Sequence, residues 1–252
     1  MKLPPYTNQQ KNIINLFYQF RYLKVLQLMK LLNHKDPRRI QAWLSDLVEK
    51  GYLARIKVEE KQYFIYCLDT KAKHILKLKE NIDPAVLERL HKEKRNESPF
   101  IQKQIFICDV YLYFLAQKTK KQNLNFFTSQ ELRGHEDFPD PLPSAFIELI
   151  DGKETNRYFL EYFDEYTIHE IVRKRVQYYL DYCHDYIWQT NTDEPFPSIL
   201  FILPTLKFRS HIQYYANAIF EKNLGDDIDL FLTTKNMINN IIDNQDIWQK
   251  VE

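Results

Sequence analysis

Glycine and cysteine are scarce in this chain, and long apolar runs are absent. Among its 252 residues there are only 4 Gly and 3 Cys, and so little glycine argues against long flexible linkers. Cys67, Cys108 and Cys183 lie far apart, each within an apolar or aromatic run, so their spacing forms neither a CxxC pair nor a disulfide framework. We therefore expect buried free thiols and a reducing, cytoplasmic compartment.

Other absences exclude whole classes of protein. No apolar run approaches the ~20 residues that a membrane span needs, and the opening MKLPPYTNQQ lacks the apolar core of a signal peptide, so no membrane partner is expected. The sequence contains no Gly-rich phosphate loop and no G-x-S-x-G, and its 7 His show no zinc spacing. P-loop nucleotide hydrolysis is therefore excluded.

The net charge of +1 conceals a strong asymmetry along the chain. Residues 1–98 carry 20 Lys and Arg against 11 Asp and Glu, a balance of +9. Residues 99–252 carry 15 against 23, a balance of −8. The two halves are thus expected to have different partners, and phosphate is the obvious partner of the basic half.

The basic half has the pattern of three helices followed by a hairpin. Thr7 and Gln10 have capping-box spacing and predict a helix near 8–19. An apolar run from Tyr22 to Leu32 predicts a second helix. Asp36 and Pro37 are typical of the start of a third helix, which Gly51 ends.

Two β-like runs, Tyr52–Val58 and Gln62–Leu68, follow with a charged tip between them, and a short fourth helix runs from Asp69 or Thr70 to Leu78. This order predicts a winged helix-turn-helix DNA-binding domain over residues 1–80. A short helix and a charged, exposed connector are expected at 81–98, before a second domain at 99–252.

The third helix of such a domain enters the major groove of double-stranded DNA, and its exposed N-terminal residues reach the bases. The predicted contacts are Arg38, Arg39, Gln41, Ala42 and Ser45 on this helix, with Lys57 and Lys61 on or beside the wing. Arg suits guanine or phosphate, and Gln suits adenine. The alternative is that the arginines are merely solvated, but the surplus of +9 favours DNA contact. Trp43 is expected to pack against a neighbouring helix.

The acidic half is predicted to have the order α-β-β-β-α-β-α-β, a mixed sheet covered by helices, which makes the chain α+β overall. A helix over Gln102–Gln117 opens it, and a long helix starts at a second capping box, Thr167 and Glu170, and ends near Trp188. SILFIL at 198–203 is typical of a fully buried strand. With Asp140 before a hairpin and Glu161 on its return strand, this is the layout of the PD-(D/E)xK nuclease-like fold.

Carboxylates on adjacent strands could hold Mg²⁺, and the metal would polarise a phosphate and activate water. Asp140 and Glu161 are the predicted ligands, and Asp164 is a third possible one. The lysine usual two residues after the Glu is replaced by Phe163, so Lys174 would have to supply the positive charge. The alternative is that Asp140 is a turn acid and Glu161 an ordinary strand residue.

Four tyrosines on the long helix offer a different nucleophile: Tyr178, Tyr179, Tyr182 and Tyr186. At helical spacing such a cluster is typical of a packed helix face, so we expect packing rather than catalysis.

Loose motifs run through most of the chain: QQKNIINLFYQFRYLKVLQLMKLL, YFLEYFDEYT, RKRVQYYLDY, SILFILP and DLFLTTKNMI. Over roughly residues 7–250 their order resembles the replication-relaxation family of plasmids and other mobile elements, and it is similar to one class of mobilisation relaxases. The resemblance implies a sequence-specific DNA-binding protein in replication initiation, relaxation or mobilisation. By this resemblance the candidate catalytic residues to test are Asp140, Glu161, Asp164 and Lys174. Tyr162 stands where the family usually has an acid.

Two alternatives remain open beside that function. The chain is either a Mg²⁺-dependent DNA nuclease or relaxase, or a non-catalytic transcriptional regulator whose second domain forms a homodimer or binds a partner. Replication or mobilisation proteins are the partners that the resemblance implies.

Overall fold

The computed structural model describes residues 4–57, 63–77, 82, 84–223, 228–240 and 246–252. The chain divides into two compact units, Met1–Leu112 and Tyr113–Glu252, called here the front unit and the back unit. The predicted DNA contact Lys61 lies outside the described residues.

The front unit consists of short helices and a small antiparallel sheet. Its helices are α1 (Asn8–Phe20), α2 (Val25–Leu31), α3 (Pro37–Glu49), α4 (Lys73–Leu76), α5 (Pro84–Arg89) and most of α6 (Ser98–Gln117). Its strands are β1 (Tyr22–Leu23), β2 (Leu53–Lys57) and β3 (Phe64–Leu68), in the order β1-β3-β2. Two 3-10 turns cover Thr70–Ala72 and Leu90–Arg95.

Local signals set the ends of α1 and α3 where the sequence predicts them. The amide of Gln10 donates to the Thr7 hydroxyl over 3.2 Å, and the amide of Thr7 donates to the Gln10 side chain over 3.0 Å. At the start of α3, the amide of Arg38 donates to Asp36 over 2.9 Å. Gly51 follows the helix at φ +77°, a conformation that costs glycine little.

The predicted second helix is too long at its start. Tyr22 and Leu23 form β1 and pair with Cys67 and Tyr66 on β3, because both side chains are fully buried beside the sheet. The helix begins only after Lys24, whose amide donates to the Gln27 side chain over 3.0 Å.

Residues 84–98, predicted as part of a charged connector between domains, belong to the front unit. Glu93 is buried and forms an ion pair of 2.6 Å with Arg21, and its carbonyl accepts from the Tyr22 hydroxyl over 2.6 Å. Further along, the Gln27 amide donates to Asp109 of α6 over 2.8 Å. The division between the units therefore falls after Leu112.

In its described residues, the back unit forms a six-stranded mixed sheet with helices. Its strands are β4 (Asn123–Thr128), β5 (Ala145–Asp151), β6 (Glu154–Tyr162), β7 (Ser198–Leu203), β8 (Leu230–Thr234) and β9 (Gln249–Lys250), in sequential order across the sheet. Its helices are α7 (His169–His184), α8 (Ile187–Thr192), α9 (Leu206–Asn223) and α10 (Lys235–Asn239). Strands β6, β7 and β8 run parallel, and the other pairs are antiparallel. The predicted mixed sheet with helices is confirmed, and the structure adds α8, α10 and β9 to the predicted order.

Several boundaries in the back unit differ from the prediction. The Thr167 hydroxyl donates to Asp164 over 2.9 Å instead of capping a helix, so α7 starts at His169. The predicted long helix also breaks at Tyr186, which has φ +52°. Helix α9 starts five residues before the predicted His211, because Thr205 caps it by accepting from the amide of Phe208 over 3.2 Å.

The three cysteines are free and buried, as the sequence predicts. Among the described residues, no helix combines the length and apolar character needed to cross a membrane.

Candidate nucleic-acid interface

Helix α3 buries one face and exposes the opposite one. Ile40, Leu44 and Leu47 are fully buried. Arg38, Gln41, Ala42 and Ser45 are all exposed, and their spacing of three, four and seven residues places them on one side of the helix. These four residues, called here the α3 strip, form a continuous surface that begins at the helix N-terminus.

Beside the α3 strip, Arg39 and Trp43 form a small cluster with the turn that precedes the helix. The Arg39 guanidinium lies 5.4 Å from the centre of the Trp43 ring, and the His34 ring meets the same indole edge-on at 5.3 Å. His34 in turn accepts from the amide of Asp36 over 3.1 Å. Trp43 therefore packs against the turn between α2 and α3, and the exposed Arg39 covers it.

The electrostatics of the front unit favour anions at its surface. The unit carries 21 Lys and Arg against 12 Asp and Glu, a balance of +9. Three of the acids are already paired within the unit: Asp46 with Lys50, Glu93 with Arg21 and Asp69 with Lys94. The first turn of α3 contains no acidic side chain, and the one carboxylate at its start, Asp36, is engaged as the cap on the amide of Arg38. The two arginine side chains are exposed beside it.

The hairpin adds a second basic surface. Lys57, predicted as a wing contact, is exposed at the end of β2 and lies opposite Phe64 on β3. Arg55 is also exposed on the same face, with its guanidinium 4.4 Å from the centre of the Phe64 ring. Arg55 is not among the contacts predicted from the sequence, although alternation along a strand puts it on the same face as Lys57.

In the back unit, Glu161 is engaged in a buried network near the end of β6. Its Oε1 lies 2.6 Å from Nε and 2.5 Å from a terminal nitrogen of Arg175, and it accepts from the Tyr179 hydroxyl over 2.9 Å. Its Oε2 lies 3.5 Å from the Ser144 hydroxyl. The carboxylate is therefore already neutralised by a guanidinium, and sequence reasoning missed Arg175 entirely.

The other predicted catalytic residues lie in different surroundings. Asp140 is exposed, and its amide donates to the Tyr178 hydroxyl over 2.8 Å. Asp164 accepts from the amide of Tyr166 over 3.1 Å as part of a turn. Lys174 is 76% exposed and pairs with Glu170 at 2.8 Å.

This donor set does not fit a Mg²⁺ ion. Within the described ranges, no three His, Cys, Asp or Glu side chains come together as a group that could hold a metal. The one buried carboxylate among the candidates, Glu161, has a cationic partner in place of a metal. The structure brings Glu161 together with Arg175 and Tyr179 rather than with Asp164 or Lys174.

Comparison with known proteins gives little beyond this geometry. No family model matches the chain, and no curated protein matches it. Among solved structures, a mutant MarR from E. coli complexed with operator DNA is 17% identical over 44% of this chain and 74% of that one, with a TM-score of 0.28. Restriction endonuclease FokI is 12% identical over 92% of this chain and 43% of its own, with a TM-score of 0.36. Restriction endonuclease FokI bound to DNA is 13% identical over 93% of this chain and 46% of its own, with a TM-score of 0.27. Such scores indicate a distant likeness, and function has to be argued from the residues.

Proposed function

We propose that the front unit is a winged helix-turn-helix domain through which the chain binds double-stranded DNA. The observation that carries the proposal is the exposed α3 strip on a unit with a balance of +9. Helices α2 and α3 are joined by a short turn and followed by the β2–β3 hairpin. In this arrangement the second helix of the pair lies in the major groove.

The exposed side chains divide into base contacts and backbone contacts. Arg38 and Gln41 on the α3 strip are suited to read guanine and adenine edges. Arg39, held beside the strip by Trp43, suits phosphate. Arg55 and Lys57 on the hairpin would add further phosphate contacts. The sequence predicts Lys61 as one more such contact.

The proposal is tested by fluorescence anisotropy of a labelled duplex with the full chain, after a preferred site has been selected from random duplexes. The Arg38→Ala/Arg39→Ala variant should bind at least tenfold more weakly, since each base or phosphate contact contributes roughly 1–3 kcal/mol. The plot of log K against log salt should become shallower by about 0.9 for each phosphate that the variant no longer neutralises. A matched control is Lys120→Ala/Lys121→Ala, which removes the same charge from exposed residues of the back unit. Equal affinity in the two variants would overturn the proposal.

The biological setting is proposed from the sequence resemblance alone. We infer that the DNA belongs to a plasmid or another mobile element and that the chain acts in its replication, relaxation or mobilisation. Adjacent replication or mobilisation genes would support this setting, and a neighbourhood of unrelated metabolic genes would contradict it.

A homodimer would require a palindromic selected site, whereas a single asymmetric half-site would exclude that mode.

For the back unit, we propose the PD-(D/E)xK-like fold, supported by the run β4-β5-β6-α7 and the parallel step to β7. Cleavage through Asp140, Glu161, Asp164 and Lys174 remains a prediction that no described contact favours. The buried Glu161–Arg175 pair is complete without a metal or ligand. This fits a non-catalytic regulator better than a metal-dependent nuclease.

A further inference from the structure

A cavity opens at one end of the back-unit sheet, and its first lining residue, His169, lies eight residues after the predicted carboxylate Glu161. Because β6 and β7 run parallel, the helices that follow them, α7 and α9, begin at the same edge of the sheet. The cavity has a volume of about 560 Å³ and is lined by His169, Thr205, Lys207, Phe208, Ser210 and His211.

Aromatic contacts fix the imidazoles of this cavity. The His169 ring stacks on Phe208 with 3.9 Å between ring centres and 10° between planes. The His211 ring lies 4.4 Å from that of His169. Arg173 donates a hydrogen bond to Nε2 of His211, and its guanidinium lies 5.0 Å from the centre of the Tyr215 ring.

The cluster carries two cations, Lys207 and Arg173, and the carboxylate of Glu170 interacts electrostatically with Arg173. No carboxylate of a described residue pairs with Lys207 or Arg173, while the neighbouring Glu170 is paired with Lys174. Nε of Arg173 is buried without a hydrogen-bond partner in the described part of the chain. The back unit as a whole has 14 Lys and Arg against 22 Asp and Glu. This local gathering of cations therefore runs against the charge of its own unit.

We propose that the cavity binds a phosphate monoester through Lys207 and the two imidazoles, with Arg173 held behind His211. Guanidinium and ammonium groups are the usual partners of phosphate oxygens, and a dianionic monoester offers more charge to them than a diester. The amides at the start of α9 add a smaller favourable field. The cavity is larger than a bare phosphate and within the range of small-molecule sites, so the ligand class is a nucleotide or the 5′-phosphorylated end of a DNA strand.

Tyr214 indicates where the rest of such a ligand lies. It is 81% exposed, and its spacing from Lys207, Ser210 and His211 places it on the same face of α9. An exposed aromatic ring one turn beyond the cavity can stack on a base, a contact worth roughly 1–3 kcal/mol. A nucleotide is therefore expected to bind more tightly than free phosphate.

The test is calorimetry of the full chain with inorganic phosphate, deoxyadenosine 5′-monophosphate and deoxyadenosine. The monophosphate should bind most tightly and deoxyadenosine should not bind measurably. Lys207→Ala should weaken the monophosphate at least tenfold, the effect of one charge-assisted contact. Lys207 is exposed, so this variant should fold; Lys222→Ala, an exposed lysine at the far end of α9, should bind as the wild type does. Equal binding of deoxyadenosine and its monophosphate, no binding of any probe, or equal loss in both variants would overturn the proposal.

Two further arms separate the sources of the phosphate and the two DNA proposals. A single-stranded oligonucleotide with a 5′-phosphate, but not its 5′-hydroxyl counterpart, should compete with the monophosphate if the natural ligand is a strand end. Competition by neither oligonucleotide would assign the cavity to free nucleotides. Arg38→Ala/Arg39→Ala should bind the monophosphate normally, so failure of duplex binding and failure of this site are distinguishable.

Discussion

Arg175 and Glu161 form a buried ion pair with both side chains only 9% exposed and 2.5 Å between the closest nitrogen and oxygen. The same guanidinium donates to the carbonyl of Pro141 over 2.7 Å. It thereby ties the end of β6 to the segment that follows Asp140. A guanidinium thus stands beside the carboxylate for which the sequence predicts a metal.

Removing one partner of this pair should destabilise the chain strongly. Arg175→Met leaves a buried carboxylate with only hydroxyl partners, and breaking a buried pair in this way costs about 3–5 kcal/mol. The double variant Arg175→Met/Glu161→Gln should lose clearly less than the sum of the single losses. Urea unfolding of Arg175→Met, Glu161→Gln and the double variant measures the three losses in the free energy of unfolding.

The matched control for that series is Lys250→Ala, which breaks the exposed pair with Asp229 and should change stability by less than about 1 kcal/mol. An Arg175→Met variant no less stable than this control would show that the buried pair is not needed for folding.

The same pair bears on catalysis. Because Glu161 is neutralised and Lys174 points into solvent paired with Glu170, we expect the full chain with Mg²⁺ to leave supercoiled plasmid intact. Gel electrophoresis of the plasmid after incubation measures this. Magnesium-dependent nicking that Asp140→Ala and Glu161→Gln both abolish, in chains that remain folded by circular dichroism, would contradict the expectation and restore the nuclease prediction.

Local signals account for what the sequence predicted well. The α3 helix is specified by Asp36 at its start, Gly51 after its end and an apolar stripe between them, all within sixteen residues. The hairpin and the buried strand SILFIL are similarly short-range patterns. These features do not depend on distant partners, and the structure places them where the sequence predicts them.

The errors arise where a partner lies far away in the chain. Tyr22 and Leu23 have helical apolar spacing, but pairing with β3 makes them a strand. Glu93 belongs to a charged run, yet Arg21, seventy-two residues earlier, buries it in an ion pair. Arg175 becomes visible as the partner of Glu161 only after α7 packs on β6, so no local motif could reveal it.

Two substitutions on α3 should separate base reading from phosphate binding. Gln41→Ala is expected to reduce the preference for the selected duplex over a scrambled one, with little change in salt dependence, because a glutamine reads a base edge. Arg39→Ala should weaken both duplexes about equally and reduce the salt slope by about 0.9. Anisotropy titrations at several salt concentrations measure both effects. The reverse pattern would exchange the two assigned roles.

The cysteines should be inert in the folded chain. Burial raises the pKa of Cys67 to about 12 and that of Cys108 well above its ordinary value, so little reactive thiolate exists at pH 8. Iodoacetamide at that pH should label none of the three within minutes, and all three in denaturant. Rapid labelling of Cys67 or Cys108 without denaturant would contradict their burial.

The cavity lined by His169 and His211 should make stability depend on pH. Desolvation, followed by the electrostatic influence of the neighbouring His211 and Arg173, lowers the pKa of His169 below its ordinary 6.5; Lys207 of α9 lines the same cavity. As the pH falls through 6.5 towards this lower pKa, the unfolded chain binds the proton first, so stability is lost in that window and kept above it. Thermal unfolding at pH 7.5 and 5.5 should show a smaller loss for His169→Phe, which retains the ring stacked on Phe208. His74→Phe, at an exposed position of α4, should keep the wild-type loss. If both variants lose as much as the wild type, the cationic surroundings of His169 do not determine its protonation.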